Sequence, residues 1–274
     1  DSPVVVLAPR SPADCFDVAI EATRITMSHM VPVVILSDGY LGEGAEPWRI
    51  PDVASLGSID VEHPTDPKSF AVYGRDERLV RPWGLPGTPG LEHRIGGLEK
   101  QHGSGNVSYD PENHQLMTMI RKEKVERVAD EIEPIEPFGD PEGDLLVLGW
   151  GGTYGVIATA VDRVRQAGNR VAAAHLRHLN PLPRNLGEVL RRYTRVLVPE
   201  LNSGQLRFLI RARFLVDARG LNKIQGKPFL VEEIEQAMDL MLTNQFADRQ
   251  FLLARHQQVR LDDQDYDYTL VPDG

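Results

Sequence analysis

Apolar runs alternate with apolar residues at three- and four-residue steps along most of the chain, and this alternation divides it into strands and helices. The clearest unit is Leu145-Leu146-Val147-Leu148, closed by Gly149-Trp150-Gly151-Gly152-Thr153-Tyr154-Gly155 and followed by Val156, Ile157, Ala160, Val161 and Val164. A short apolar run, a glycine-rich turn and then helical spacing predict strand, tight turn, helix. Gly168 is placed to end that helix. Strand Arg170–Leu176, loop Asn180-Pro181-Leu182-Pro183, helix Leu186–Tyr193, strand Arg195–Val198, loop Leu201–Gly204, helix Gln205–Val216 and a last core helix Leu230–Thr243 continue the pattern. Strands alternating with helices predict an open, doubly wound α/β sheet.

The N-terminal half opens on a strand, Val4–Leu7, then Ser11 as a helix cap with Pro12 at the first helical position. Phe16, Ala19, Ile20, Thr23, Met27 and Met30 are the expected buried face of that helix, and Pro32–Leu36 the next buried strand. The β-α-β order implies a parallel pair, whose ligands collect beyond the carboxyl ends of the strands. Asp38 and Tyr40 fall there. From Leu41 to about Asp110 periodicity fails while Gly and Pro are frequent, yet Trp48, Phe70, Tyr73 and Trp83 argue for an ordered wrap over another surface. Asp110 as cap and Pro111 as first residue open a helix to about Ile132, with Leu116, Met119, Ile120 and Val128 inward. The proline-rich acidic stretch around Glu133-Pro134-Ile135-Glu136-Pro137 reads as a linker. The expected organisation is a first domain over 1–132, a linker over 133–143, a second domain over 144–260 and an acidic tail over 261–274, mobile or laid on a partner.

Composition narrows the function classes. With 41% hydrophobic and 26% charged residues the chain is ordinary for a soluble globular protein, and no apolar run is long enough for a membrane span. A net charge of −10 leaves no electrostatic footprint for nucleic acid. The lone Cys15 excludes an internal disulfide and cannot by itself hold an iron–sulfur cluster, and a reducing cytoplasm is the natural home. The abrupt start, Asp1-Ser2-Pro3 directly before an apolar strand, suggests a chain that begins within a domain.

The motifs exclude more chemistry than they supply. Gly149, Gly151 and Gly155 are spaced one residue wider than a dinucleotide fingerprint, and no acid stands about 20 residues on. His175 and His178 lack neighbouring ligands at metal spacing, Ser203 lacks the hydrolase elbow, and no phosphate loop occurs. Cys15 is expected to be a quiet core thiol. Glu92 and His93, inside the wrap, either polarise a substrate or pin the loop by hydrogen bonds, the second being favoured.

Several stretches together resemble one family: Pro32–Asp38, Gly90-Leu91-Glu92-His93-Arg94-Ile95-Gly96, Asp144–Gly155, Pro181-Leu182-Pro183, Glu200–Leu206 and Lys223–Phe229. In order, from Pro3 to about Leu242, they resemble the alpha subunit of 2-oxoacid:ferredoxin oxidoreductases, closest to the 2-oxoglutarate type. The resemblance implies the back half of a thiamine-diphosphate pyrimidine-type domain followed by a transketolase C-terminal-like domain. It implies oxidative decarboxylation of 2-oxoglutarate with coenzyme A to succinyl-CoA and carbon dioxide, with ferredoxin as electron acceptor. Thiamine diphosphate, magnesium and a [4Fe-4S] cluster would be held mainly by a beta subunit. The front half of the pyrimidine domain, with its activating glutamate, would lie elsewhere, so this chain alone is expected to be inactive, and the working assembly is expected to be a dimer of alpha–beta pairs. The rival readings are the beta subunit of a lipoamide-dependent 2-oxoacid dehydrogenase and a non-catalytic scaffold subunit. A second substrate carboxylate calls for an arginine fork, and Arg49, in the stiff segment Pro47-Trp48-Arg49-Ile50-Pro51, is the expected grip.

Overall fold

The computed structural model describes residues 2–246, so the acidic tail lies outside the described residues. The described residues form two compact units: 2–136 with Trp150–Gly155 and His175–Val189, and Pro137–Gly149 with Val156–Ala174 and 190–246.

In the first unit β1 (Val5–Leu7) runs parallel to β2 (Val33–Ile35), joined by the crossover helix α1 (Asp14–His29). Val5 and Leu7 on β1, with Val18, Ala22 and Ile25 on α1, close a core to which Val125 and Val128 also contribute. Ser11 Oγ accepts from the Asp14 N–H at 3.3 Å in the turn before α1, but the helix begins at Asp14 with Ala13 as its N-cap, so Ser11 and Pro12 lie ahead of the helix they were expected to open. Asp38 opens the short helix α2 (Gly39–Glu43). Asp110 caps α3 (Pro111–Arg127) by accepting from the Glu112 N–H at 3.0 Å, with Pro111 at the first helical position.

The wrap between α2 and α3 is ordered by its own side chains, as its aromatics predicted. The Trp83 indole donates to the Met27 carbonyl at 2.9 Å, Trp48 packs on Phe16 with centroids 5.3 Å apart, and backbone bridges join Tyr73 to Gly103 and Lys100 to Val107.

The second sheet has the order β3-β5-β4-β7-β8, from β3 (Phe138–Gly139), β4 (Gly143–Trp150), β5 (Val171–Leu176), β7 (Tyr193–Glu200) and β8 (Ala218–Asn222). Pairs β4/β7 and β7/β8 are parallel, and β3 is antiparallel to β5. The strands read as near-continuous apolar runs because they are buried on both faces. Leu145, Val147, Leu197 and Leu221 pack with Ile157 and Val161 of α4 (Tyr154–Gln166) and, after α5 (Leu186–Arg191) in the chain, with Ile234 and Met238 of α7 (Val231–Leu242). Glu200, fully buried, accepts from the Leu206 and Arg207 N–H groups at 2.9 and 3.0 Å. A carboxylate there satisfies orphan donors at the start of α6 (Gln205–Phe214) and complements its dipole. The predicted mixed α/β architecture with parallel strands is therefore present.

Local expectations fail where polar residues are buried or strands are uncovered. The buried stripe of α1 is Asp14, Val18, Ala22, Ile25 and His29, whereas Ala19 and Thr23 of the expected face are exposed. Its two ends are polar, so counting apolar residues selects the neighbouring stripe. Strand β2 lies at the edge of a sheet whose centre is β1, where Val34 is 42% exposed, and so is not the buried strand expected over Pro32–Leu36. On α3 the inward residues are Asn113, Met117 and Val125, while Leu116 and Met119 face solvent, Met119 at 61% exposure. Asn113 is inside because it ties down the wrap, accepting from the His102 N–H and donating to the Lys100 carbonyl. Three short strands among the described residues go beyond the sequence reading: β3, inside the stretch read as a linker, β6 (His178–Asn180), antiparallel to β1, and β8. Within the proline-rich stretch Ile135 is buried, and its N–H and carbonyl both bond to the Asn185 side chain at 2.9 Å.

Candidate functional site

The carboxyl ends of β1 and β2 gather a set of polar residues in the first unit. The chain leaves β1 at Ala8, whose N–H donates to the Arg177 carbonyl at 2.8 Å, and Arg10 follows two residues later. It leaves β2 at Leu36, whose N–H donates to the Leu7 carbonyl at 2.8 Å, and Asp38 follows two residues later. One carboxylate oxygen of Asp38 accepts from the Leu41 N–H at 2.9 Å. The other faces Gly152, where an added Cβ would come within 2.6 Å of it. The glycine-rich turn thus requires Gly152 because a carboxylate approaches its backbone.

Beyond the turn, the Tyr154 ring meets the His175 ring edge-on at 5.2 Å and carries the Arg10 guanidinium 4.8 Å from its centroid. Nε2 of His175 is buried without a hydrogen-bond partner. Burial first, and then the nearby Arg10, push its pKa down to about 3, against a backbone hydrogen bond with Gly151 that raises it. His175 is therefore neutral at physiological pH.

His178 does not join His175. Its Nε2 lies 2.5 Å from Oε1 of Glu21, which also pairs with Arg177 at 3.0 Å, and Arg177 is hydrogen-bonded to Asp14 as well. Burial raises the Glu21 pKa, but the bonds from His178 and Arg177 outweigh it and hold the carboxyl below its usual range. Asp14, Glu21, Arg177 and His178 form a closed structural network, and no group of three or more His, Cys, Asp and Glu suited to a metal occurs among the described residues. Cys15 lies beside it with its thiol 3.5 Å from the Ser11 carbonyl, and burial, then Asp14, push its pKa up, which keeps it protonated.

The residues singled out from sequence are dispersed. Tyr40, Arg49 and Glu92 are exposed. His93 is half-buried, with Nδ1 2.7 Å from the Leu91 carbonyl and its ring 5.4 Å from that of Phe70, which is the loop-pinning arrangement. Among the described residues no hydrogen bond, ion pair or ring contact joins any two of Asp38, Tyr40, Arg49, Glu92 and His93. Arg10 was missed, although the rule that selected Asp38 after β2 applies equally to the residue after β1.

This donor set does not fit a cluster, which needs several thiolates, or a magnesium ion. Nor does it offer a carboxylate to activate a thiamine pyrimidine. Asp14 is held by Arg177 and the Arg10 N–H, Glu21 by Arg177 and His178, Asp38 by the Leu41 N–H, and Glu46 by Ser11 and the Ala13 N–H.

Comparison with known proteins supplies what the geometry does not. Residues 1–137 match the family described as pyruvate flavodoxin/ferredoxin oxidoreductase, thiamine diP-bdg. The chain belongs to this family. Within it, the chain is 50% identical over 250 residues to the 2-oxoglutarate oxidoreductase subunit KorA of Mycobacterium tuberculosis, covering 90% of this chain and 38% of that protein. It is 27% identical over 243 residues to the 2-oxoglutarate synthase subunit KorA of Methanothermobacter thermautotrophicus, covering 85% of this chain and 62% of that one. Its fold matches 2-oxoglutarate:ferredoxin oxidoreductase from Magnetococcus marinus, solved with 2-oxoglutarate, coenzyme A and succinyl-CoA bound, at a TM-score of 0.81 and 29% identity over 88% of this chain and 43% of that one. The chain thus spans less than two thirds of the length of these relatives. The resemblance seen in the sequence is borne out at the level of family and fold. No helix among the described residues is long and apolar enough to cross a membrane.

Proposed function

We propose that the chain forms part of the alpha subunit of an enzyme that oxidatively decarboxylates 2-oxoglutarate with coenzyme A, giving succinyl-CoA and carbon dioxide and reducing ferredoxin. The observation that carries this reading is the 50% identity to a KorA subunit over 90% of the chain. Thiamine diphosphate supplies the carbanion chemistry when bound. The activating carboxylate, the magnesium ligands and the cluster thiolates come from outside this segment, from the remainder of the alpha subunit and from a beta subunit, in a dimer of alpha–beta pairs within the cytoplasm. This segment contributes a rigid wall at the carboxyl ends of β1 and β2, where Asp38 and Gly152 lock one loop against another and Arg10 stands over Tyr154. Arg49, exposed and without a carboxylate partner among the described residues, is the candidate for gripping the distal substrate carboxylate.

The test is reconstitution with the co-purifying partner. Reduction of ferredoxin or a low-potential dye should require both 2-oxoglutarate and coenzyme A, and the chain alone should give none. Activity that needs lipoamide, or turnover by residues 1–274 alone, would remove this reading.

A further inference from the structure

One cavity lies apart from the carboxyl ends of β1 and β2. About 440 Å³ in volume, it opens between the wrap and α3 within the first unit, and five of its lining residues are cationic: Arg75, Arg81, Lys100, Arg121 and Lys124. The single acidic lining residue, Glu99, is already committed, with Arg121 at 3.1 Å and His114 at 2.7 Å. None of the other four cations has a carboxylate within ion-pair distance among the described residues. Lys124 donates to the Met30 carbonyl, and Lys100, only 4% exposed, donates to the Gly96 and Leu98 carbonyls. The Arg75 and Arg81 guanidiniums stand 5.0 and 5.6 Å from the centre of the Tyr73 ring, and Arg75 reaches only His102 and the Met117 sulfur besides. Asp76, which lies near enough to act on Lys124, is paired with Arg78.

Half-buried cations packed together without counter-charge are costly, because desolvation and mutual repulsion both oppose the charged forms. The cost is visible at Lys124, which burial first, and then Arg75, Arg81 and Arg121, bring down to about 8. In a chain of net charge −10, such a focus of positive charge inside a cavity is matched by an anion of comparable charge density. The cavity walls and their convergent guanidinium forks suit phosphoryl oxygens, which accept bidentate bonds from arginine. At the rim the exposed Ile95 and Leu98 offer apolar surface.

We propose that this cavity binds a small molecule carrying two or more phosphoryl charges together with a less polar moiety. The charged end is held by Arg75, Arg81 and Lys124 on a floor formed by Tyr73. The site does not depend on the redox reading, because binding is measured without turnover.

Calorimetric titration of inorganic pyrophosphate and of ADP into the full chain, in low-salt buffer, tests it. Saturable binding of pyrophosphate is expected, tighter for ADP, and weakened more than tenfold by Arg81→Met but less than threefold by Arg78→Met outside the cavity. Lys124→Met is the second variant, should Arg81→Met fail to fold. Competition by coenzyme A would place the phosphoryl groups on the co-substrate, and binding of ADP without such competition on a free nucleotide. Either supports the site. Absence of pyrophosphate binding at millimolar concentration overturns it, as does binding unaffected by both variants. Loss of affinity for an acidic protein partner with no phosphate binding would also overturn it, making the patch a protein dock.

Discussion

The Tyr154 ring meets the His175 imidazole edge-on, with centroids 5.2 Å apart and planes inclined at 80°. That contact closes an apolar lid over a polar group and leaves Nε2 of His175 buried without a partner. A neutral imidazole tolerates this place, whereas an imidazolium does not.

The first prediction is acid sensitivity. An unfolded histidine titrates near its ordinary 6.5 and His175 near 3, so between these values the unfolded chain binds the extra proton. The contribution is fully present above about pH 6.5 and is lost as pH falls toward 3. At pH 5 the loss is about 2 kcal/mol. His29, whose pKa burial also lowers although Glu131 opposes it, adds in the same direction. Urea midpoints at pH 7.5 and 5.0 measure the step, and His175→Gln should shrink it. An equal acid loss in wild type and variant would show that His175 is not its source.

The second prediction concerns Gly152. Alanine there would push a methyl group against the Asp38 carboxylate, which cannot swing away without breaking its bond to the Leu41 N–H. Gly152→Ala should cost about 1–3 kcal/mol. Asp38→Ala, which removes a helix cap, should cost about 1 kcal/mol. Adding Gly152→Ala to Asp38→Ala should then cost less than about 0.5 kcal/mol, since the clash is gone. Additive losses in the double-mutant cycle would mean that the glycine serves its own backbone and not the aspartate.

How far the sequence was legible follows from which residues carry the signal. Apolar runs buried on both faces, such as Leu145–Leu148, announce a strand without any context, and Asp110-Pro111 announces a helix start. Letters alone mislead where burial rests on a distant partner. Asp14 is inside only because Arg177, 163 residues away, pairs with it, and Asn113 only because the wrap needs its amide. The three-residue strand β6 escaped because His178-Leu179-Asn180 has no apolar period to read. The site was legible by topology and not by motif: position after a strand selected Asp38. The same position after β1 belongs to Arg10, which no motif marks and which stands over Tyr154. The basic cavity was illegible, since its cations are spread from Arg75 to Lys124 and converge only when the wrap folds onto α3.

The last prediction separates two arginines as the grip on a second substrate carboxylate, given the proposed reaction. Arg49 sits beside Trp48, whose ring is fixed on Phe16, so its backbone is anchored while its side chain is exposed and free of acids. Arg10 is exposed at the end of β1, braced on the Tyr154 face, and its guanidinium has no carboxylate partner among the described residues. Either could close on a dicarboxylate, and the one that does so loses about 2–5 kcal/mol of transition-state stabilisation when truncated, because the carboxylate is left buried and unpaired. Arg49→Met should lower kcat/KM for 2-oxoglutarate by well over tenfold while largely sparing 2-oxobutyrate, which lacks the second carboxylate. Arg10→Met, assayed in the reconstituted complex beside it, should affect both substrates alike if that arginine only braces Tyr154. Reversal of the two patterns would move the grip to Arg10. Equal losses for both substrates in both variants would place the determinant outside residues 1–274, since a residue that discriminates by charge must act on the substrate that carries it.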